Sequence, residues 1–128
     1  MTAREPRRGP AGRTGSPDRV EEFRRRLGEA RDQLLRRVAR TDNELATLEA
    51  HQAGAAVEDA ATMLATEILS RLEGRDKHEL DEIDAAQARL AAGTFGVCEG
   101  CARPIPIERM RAMPTARHCV ACQADAER

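Results

Sequence analysis

The chain has 128 residues, which is enough for one modest domain or for one small domain and an extended element. It contains no Trp or Tyr and only two Phe, so it cannot supply the aromatic area on which a large globular core usually draws. Ala, Leu, Glu and Arg dominate, and 34% of the residues are charged, which is typical of long helices packed along a narrow seam. We therefore predict a mainly α fold built from an extended helical element and a small domain.

The net charge of −1 hides an uneven distribution along the chain. Residues 1–40 contain 12 Arg against 6 acidic residues, whereas residues 41–92 contain 4 basic against 12 acidic residues. A basic front and an acidic middle suggest different surfaces for different partners, although solvated helix faces account for the same charges.

Residues 1–17 are rich in Pro, Gly and Arg and almost free of apolar side chains, so we predict a disordered basic tail. The segment has no apolar core of the kind found in a signal peptide. No later run approaches the roughly 18 apolar residues of a membrane span. We therefore expect a cytoplasmic protein that makes no membrane contact.

The first predicted helix begins near Asp18, and its apolar residues recur every three or four positions from Val20 to Leu48. This periodicity is typical of one continuous amphipathic helix. The pattern fades just before Gly54, which is suited to a chain reversal.

The second predicted helix carries an apolar stripe from Val57 to Leu90 and ends at Gly93. The spacing of the stripe changes around Gly74, and a glycine inside a helix costs about 1 kcal/mol relative to Ala. The sequence therefore predicts either a bend or a full break near this glycine.

Two apolar stripes of similar length joined by a short turn form an antiparallel pair of helices. We predict a long antiparallel coiled-coil hairpin over residues 18–92 with its tip near residues 52–59. Residues 93–128 then form a small C-terminal domain.

All four cysteines lie in this C-terminal segment with the spacing C-x2-C-x17-C-x2-C, at Cys98, Cys101, Cys119 and Cys122. The spacing is typical of a tetrathiolate zinc site, in which each of two knuckles supplies two sulfurs. Two disulfides are the alternative, but a cytoplasmic chain keeps its thiols reduced. A second alternative replaces one cysteine ligand with His118. Since four protein sulfurs leave no open coordination position, we expect a structural zinc rather than a catalytic one.

The zinc is also expected to hold the C-terminal segment folded. A unit of about 36 residues rarely folds on apolar burial alone. Structural zinc contributes an apparent ~10–16 kcal/mol near neutral pH, which is the dominant contribution at this size.

The motif around the cysteines resembles the zinc finger of the DksA/TraR family. The resembling positions are Cys98-Glu99-Gly100-Cys101, Ile105, Arg109, Pro114, Cys119 and Cys122. The resemblance implies that Ile105, Arg109 and Pro114 support the finger. It extends more loosely over residues 20–92, because larger members of the family carry an antiparallel coiled coil before the finger.

The resemblance implies a bacterial transcription regulator that binds RNA polymerase directly, through its secondary channel, and makes no sequence-specific DNA contact. In the family, the coiled coil places an Asp-x-x-Asp-x-Ala motif at its tip, near the catalytic centre. At the matching place Glu58 and Ala60 agree with the motif, Asp59 adds a second acid, and Ala55 departs from it. Acidic residues in the first turn of a helix also complement its dipole, so a structural role for this pair stays open.

Some members of the family use basic residues to help bind the alarmone ppGpp at the polymerase interface. Glu82, Met113 and Gln123 stand at the matching positions, and none of them is basic. We therefore expect no strong synergy with ppGpp.

Two other functions remain open. The Arg-rich front of the chain could contact nucleic-acid phosphates, although no base-reading helix and no set of stacking aromatics is evident. The four thiolates could also act as a redox switch that releases zinc on oxidation. We expect no enzyme activity, because the sequence contains no constellation typical of a nucleophile and its base and no Gly-rich phosphate loop.

Overall fold

The computed structural model describes residues 16–54 and 58–127, with the side chains of residues 58 and 59 left out of the description. Within these ranges the helices are α1 Pro17–Val38, α2 Asp42–Gln52, α3 Glu58–Ser70, α4 Gly74–Ala92, α5 Ile107–Ala112 and α6 Val120–Ala126. The described β-structure is an isolated bridge between Val97 and Pro104. The predicted mainly α fold with a C-terminal four-cysteine cluster is confirmed. None of the described helices combines the length and apolarity needed to cross a membrane.

The chain forms two compact units, and both α1 and α4 contribute to each of them. Among the described residues, one unit contains 16–27 and 83–127, and the other lies within Gly28–Glu82. The predicted disordered tail lies almost entirely outside the described residues, since the description starts at residue 16.

The first unit has a core shared by α1, α4 and the cysteine-rich segment. Its buried apolar side chains are Phe23, Leu27, Ile83, Ala86, Leu90, Phe95, Cys98, Ile105, Met110 and Ala116. The rings of Phe23 and Phe95 lie with their centroids 4.9 Å apart and their planes tilted by 44°. This geometry is favourable for an aromatic pair, so the only two Phe of the chain join α1 to the C-terminal segment.

In the second unit, the predicted continuous first helix is wrong, because the helix is interrupted between Val38 and Asp42. The hydroxyl of Thr41 accepts a hydrogen bond of 3.0 Å from the backbone N–H of Glu44, which makes Thr41 the N-cap of α2. The carboxylate of Glu44 reaches back and accepts a hydrogen bond of 2.9 Å from the N–H of Arg40. This reciprocal capping satisfies backbone donors at the start of α2. It therefore favours a new helix here, although the apolar periodicity alone favours a continuous one.

After this interruption, α2 returns alongside α1. The side-chain amide of Gln52 donates to the backbone carbonyl of Asp32 at 3.4 Å, and the guanidinium of Arg36 donates to the side-chain carbonyl of Gln52. In one continuous helix Asp32 and Gln52 would be roughly 30 Å apart at 1.5 Å per residue. The end of α1 and α2 therefore form a tight helical hairpin joined by residues 39–41.

Helices α2 and α3 also run antiparallel. Arg71, just after α3, makes two hydrogen bonds to the carboxylate of Glu44 near the start of α2, at 3.0 and 3.2 Å. Buried side chains from three helices, Leu35, Leu48 and Ile68, form one apolar cluster. The cluster fixes α2 and α3 against the last turns of α1.

The second predicted helix has the full break that its sequence allowed, since α3 ends at Ser70 and α4 begins at Gly74. Gly74 has a φ of +58°, a conformation in which glycine is favoured over residues with a Cβ. Across the break, Arg37 in the last turn of α1 pairs with Glu79 at 2.7 Å and with Asp76 at 3.4 Å on α4. The end of α1 thus faces the start of α4, as in an antiparallel hairpin.

Candidate metal centre

The four cysteines meet at one point in the C-terminal segment. Their sulfurs all lie within 4.8 Å of one another. Cys119 Sγ is 3.8 Å from Cys98 Sγ and 3.9 Å from Cys101 Sγ. A zinc tetrahedron with Zn–S bonds of about 2.3 Å has edges of about 3.8 Å, so these separations suit four thiolates around one zinc ion. They are far longer than the roughly 2.05 Å of a disulfide, and all four cysteines are free.

Two local structures present the sulfurs. Cys98 and Cys101 lie in the loop closed by the bridge between Val97 and Pro104, where the N–H of Cys98 donates to the carbonyl of Arg103 at 2.9 Å. Cys119 is the N-cap of α6, and Cys122 lies in its first turn. Each structure contributes two sulfurs, as the paired C-x2-C spacing predicts.

Backbone donors surround the most buried sulfur. Cys98 is 1% exposed, and its Sγ accepts hydrogen bonds of 3.3 Å from the N–H groups of Gly100 and Cys119. A Cβ on Gly100 would lie 3.0 Å from the Sγ of Cys122, so the close approach of the two knuckles requires glycine there. These donors stabilise thiolate charge on the buried sulfur of Cys98.

The pKa values of two of the four thiols are shifted in opposite directions. Burial acts to raise the pKa of Cys98, but hydrogen bonds from the backbone of Cys119, Cys101 and Gly100 outweigh it and lower the pKa to about 6. Contacts of the Cys122 thiol with Cys119 and Cys98, followed by burial, raise its pKa to about 12. One sulfur ionises readily, while another keeps its proton because it is hydrogen-bonded to the neighbouring sulfurs and partly buried. A divalent cation bound by the four sulfurs would favour the ionised form of each of them.

Two of the three residues predicted to support the finger, Ile105 and Arg109, make hydrogen bonds within the cysteine-rich segment. Ile105 is 1% exposed, and its N–H donates to the carbonyl of Gly96 at 2.7 Å. Arg109 Nε donates to the backbone carbonyl of His118 at 2.9 Å, next to Cys119. Pro114 is partly buried. Among the described residues, His118 does not join the group of clustered ligands, which consists of the four cysteines.

A salt-bridge network that the sequence did not reveal ties the two knuckles together. Glu99 follows Cys98 and pairs with Arg117 at 3.2 Å, while its N–H donates to the carbonyl of Arg117 at 2.8 Å. Arg89 near the end of α4 approaches the same carboxylate at 3.9 Å. These residues come from three separate stretches of sequence, and no spacing rule connects them.

A second network joins α1 to α5. Arg111 makes two hydrogen bonds to the carboxylate of Glu22, at 3.0 and 3.3 Å, and these are the first cause of the lowered pKa of Glu22. Arg26 pairs with the same carboxylate at 3.3 Å and donates to the backbone carbonyl of Arg111 at 3.1 Å. Together with the pair of Phe rings, this network fixes the start of α1 to the cysteine-rich segment.

The predicted tip residues adjoin a stretch that the structure does not describe. Glu58 and Asp59 are the first two residues of α3, but their side chains are outside the described residues. Ala60 is exposed. The role assigned to this group therefore stays a prediction.

These features define a four-cysteine zinc-finger protein with a mainly helical chain. Residues 93–128 match the family model described as the prokaryotic dksA/traR C4-type zinc finger. The protein belongs to the DksA/TraR family. A C4 finger with its four cysteines clustered in this way implies a structural Zn²⁺.

Similar proteins extend the comparison beyond the finger. General stress protein 16O of Bacillus subtilis is 44% identical over 52 residues, which are 41% of this chain and 32% of that protein. The RNA polymerase-binding transcription factor DksA of Haemophilus influenzae is 36% identical over 53 residues, 41% of this chain and 37% of the other. The match therefore spans about a third of the length of these two relatives. The structure of transcription factor DksA2 from Pseudomonas aeruginosa is similar with a TM-score of 0.57 and 30% identity, covering 88% of this chain and 85% of that one.

Proposed function

We propose that this protein is a non-enzymatic transcription regulator that binds bacterial RNA polymerase directly, through the secondary channel. The observation that carries the proposal is the similarity to transcription factor DksA2, which covers 88% of the chain and thus includes helices as well as finger. The Haemophilus influenzae relative is an RNA polymerase-binding transcription factor, which supports the same partner. A polymerase partner implies a cytoplasmic location.

In this proposal each part of the chain has its own role. Residues 18–92 are the hairpin that enters the channel, with the tip near 52–59, and residues 93–128 are the finger that supports it. The zinc ligands are Cys98, Cys101, Cys119 and Cys122, and their ion is structural because no coordination position is open.

The acidic pair at the start of α3 is proposed to act at the polymerase centre. Glu58 and Asp59, followed by the small Ala60, occupy the place of the family's tip motif. Carboxylates there would perturb the strong local charge of the catalytic metal ions. Glu82, Met113 and Gln123 supply no cation for an alarmone, so the effect is proposed not to depend strongly on ppGpp.

Binding to core RNA polymerase tests the partner. The zinc-loaded protein is immobilised and its capture of purified core enzyme is compared with that of a variant in which residues 53–60 are replaced by a Gly-Ser sequence. We expect capture by the native protein and weaker capture by the variant. Equal binding of duplex DNA and polymerase at physiological salt would contradict the proposal and favour nucleic acid as the partner.

The tip is tested separately from binding. The substitutions E58Q and D59N remove charge while preserving size, so polymerase binding is expected to remain and the effect on transcription to be lost. The matched control is E49Q, which removes an exposed charge from α2 outside the tip. An unchanged effect of the double variant on purified transcription would refute the tip role.

A further inference from the structure

The two breaks in the helical hairpin face one another in the compact unit Gly28–Glu82. The first break is residues 39–41 and the second is residues 71–73. Arg71, in the second break, is bound to Glu44, whose carboxylate also accepts the N–H of Arg40 in the first. A cavity of about 340 Å³ lies between them, lined in part by Arg40, Arg71 and Leu72. Both arms are therefore interrupted at one level, beside a pocket that opens to solvent.

The helices on either side of this level share one antiparallel register. On the inner side, Arg37 pairs with Asp76 and Glu79. On the outer side, Glu44 pairs with Arg71. Glu44 lies seven residues after Arg37, and Arg71 lies five residues before Asp76 and eight before Glu79. This is the progression expected within a single continuous hairpin. The inner and outer pairs would therefore line up without a shift if both breaks became helical.

The sequence of the breaks permits that change. Residues 39–41 are Ala, Arg and Thr, and residues 71–73 are Arg, Leu and Glu, so neither break contains Pro or Gly. These residue types are all accepted in helix interiors, with Thr the least favourable. Gly74 adjoins the second break and adopts a helical φ as readily as its present +58°. The apolar periodicity also continues from Val20 past the first break to Leu48.

Straightening would separate Leu35 on α1 from Leu48 and Ile68, and it would remove only a few polar contacts. The contacts of Gln52 with Asp32 and Arg36 join α2 to α1, and straightening would remove them. The cap formed by Thr41 would also be lost, because Thr41 would become part of the helix. The pair of Glu44 and Arg71 joins the start of α2 to the residue just after α3, and it would persist if both breaks became helical.

We propose that residues 42–70 are a hinged outer hairpin that exchanges between this folded-back position and an extended position in which α1 continues into α2 and α3 into α4. In the folded-back state Gln52 and the Thr41 cap hold the end of α2 beside α1. In the extended state the end of α2 points away from α1. The consequence for function rests on the proposed polymerase binding: the folded-back state withholds the tip from the channel.

Gly74 allows the hinge to be tested without removing a contact. A Cβ there meets nothing within 4 Å, so G74A acts through the backbone. At φ +58° an Ala is strained by an amount that corresponds to a factor of about 5–30 in a population ratio. In the extended state the same residue is helical and unstrained. The matched control is G54A, because Gly54 has a φ of +89° and equally open surroundings but lies outside both breaks.

The measurement is the distance between spin labels at Gln33 on α1 and at residue 53, both exposed. The labels are attached through unnatural amino acids in the full zinc-loaded chain, which leaves the zinc cysteines intact. Helices packed side by side place these positions about 10 Å apart plus the label linkers. A continuous helix of 20 intervening steps places them roughly 30 Å apart.

We expect the native protein to show mainly the short distance, and G74A to raise the ratio of long to short distances about 5- to 30-fold. Q52A is expected to shift the ratio in the same direction, whereas G54A leaves it unchanged. The hinge is refuted if the native protein shows only the long distance, if G74A leaves the ratio unchanged, or if G54A shifts it as much as G74A.

Adding core polymerase separates the hinge from the proposed function. Bound polymerase is expected to select the long distance, and G74A to bind more tightly than the native protein. If G74A shifts the distances but polymerase does not bind, the hinge stands and the proposed function falls. If polymerase binds and the distances never change, the hinge falls and the proposed function stands.

Discussion

The pairing of Phe23 with Phe95 offers a quantitative test of how the cysteine-rich segment is fixed to α1. The substitutions F23L and F95L keep most of the apolar volume and remove one ring each. Both residues are almost completely buried, at 0% and 2% exposure, so each substitution is expected to destabilise the fold by about 0.5–3 kcal/mol. The centroid distance of 4.9 Å and the tilt of 44° add an interaction of about 0.5–1.5 kcal/mol that both single variants lose.

The double variant isolates that interaction. If the rings interact, F23L together with F95L destabilises by less than the two single effects combined, and the shortfall is about 0.5–1.5 kcal/mol. Urea unfolding followed by far-UV circular dichroism with excess zinc measures all four proteins, since the chain has no Trp or Tyr for fluorescence. F95L combined with L48V, a substitution in the other compact unit, is the control and should be additive within about 0.5 kcal/mol. Additivity of the two Phe substitutions, with each one clearly destabilising, would refute the assigned ring interaction.

Three other outcomes follow from the described contacts. G100A places a Cβ 3.0 Å from the sulfur of Cys122 and should speed zinc loss to a competing chelator, whereas G28A, in open space within α1, should retain zinc and stabilise the fold by about 0.5–1 kcal/mol. Hydrogen bonds from Arg71 and then from the backbone of Arg40 lower the pKa of Glu44 from 4.5 to about 2, so its contribution to stability is complete above about pH 4.5 and is lost as the pH falls toward 2. The difference in unfolding free energy between native protein and E44Q should shrink over that range, and a difference independent of pH would contradict the assigned ion pair. Chelating the zinc should raise amide exchange at the start of α1, because the core there includes Phe95, and unchanged exchange would show that this part of α1 does not depend on the finger.

The metal centre was predictable because its four ligands lie close together in the sequence, in two pairs of fixed spacing. The spacing of the four cysteines limits which sulfurs can converge, and it does so independently of how the helices are arranged. The mainly α fold followed from periodicity for the same reason. The break near Gly74 was also foreseeable, since a glycine and a change of spacing coincide there.

The first break was missed because two local signals compete at Thr41. The apolar periodicity favours a continuous helix, whereas Thr41 followed by Glu44 at the third position is a start signal for a new one. Which signal prevails depends on contacts that are distant in sequence, such as that of Gln52 with Asp32. The networks around Glu22 and Glu99 were unpredictable in the same way, because arginine is too common in this chain for pairing to be read from sequence.

The ion pair between Glu22 and Arg111 has a consequence for folding during synthesis on the ribosome. These partners are 89 residues apart, so α1 emerges early while the residues that cover its first turns are still being translated. At roughly 5–20 residues per second, several seconds pass with Phe23 uncovered. Completion of this unit therefore waits for the last cysteines to leave the exit tunnel and capture their ion, and zinc supply during synthesis sets how long the nascent chain stays open to aggregation.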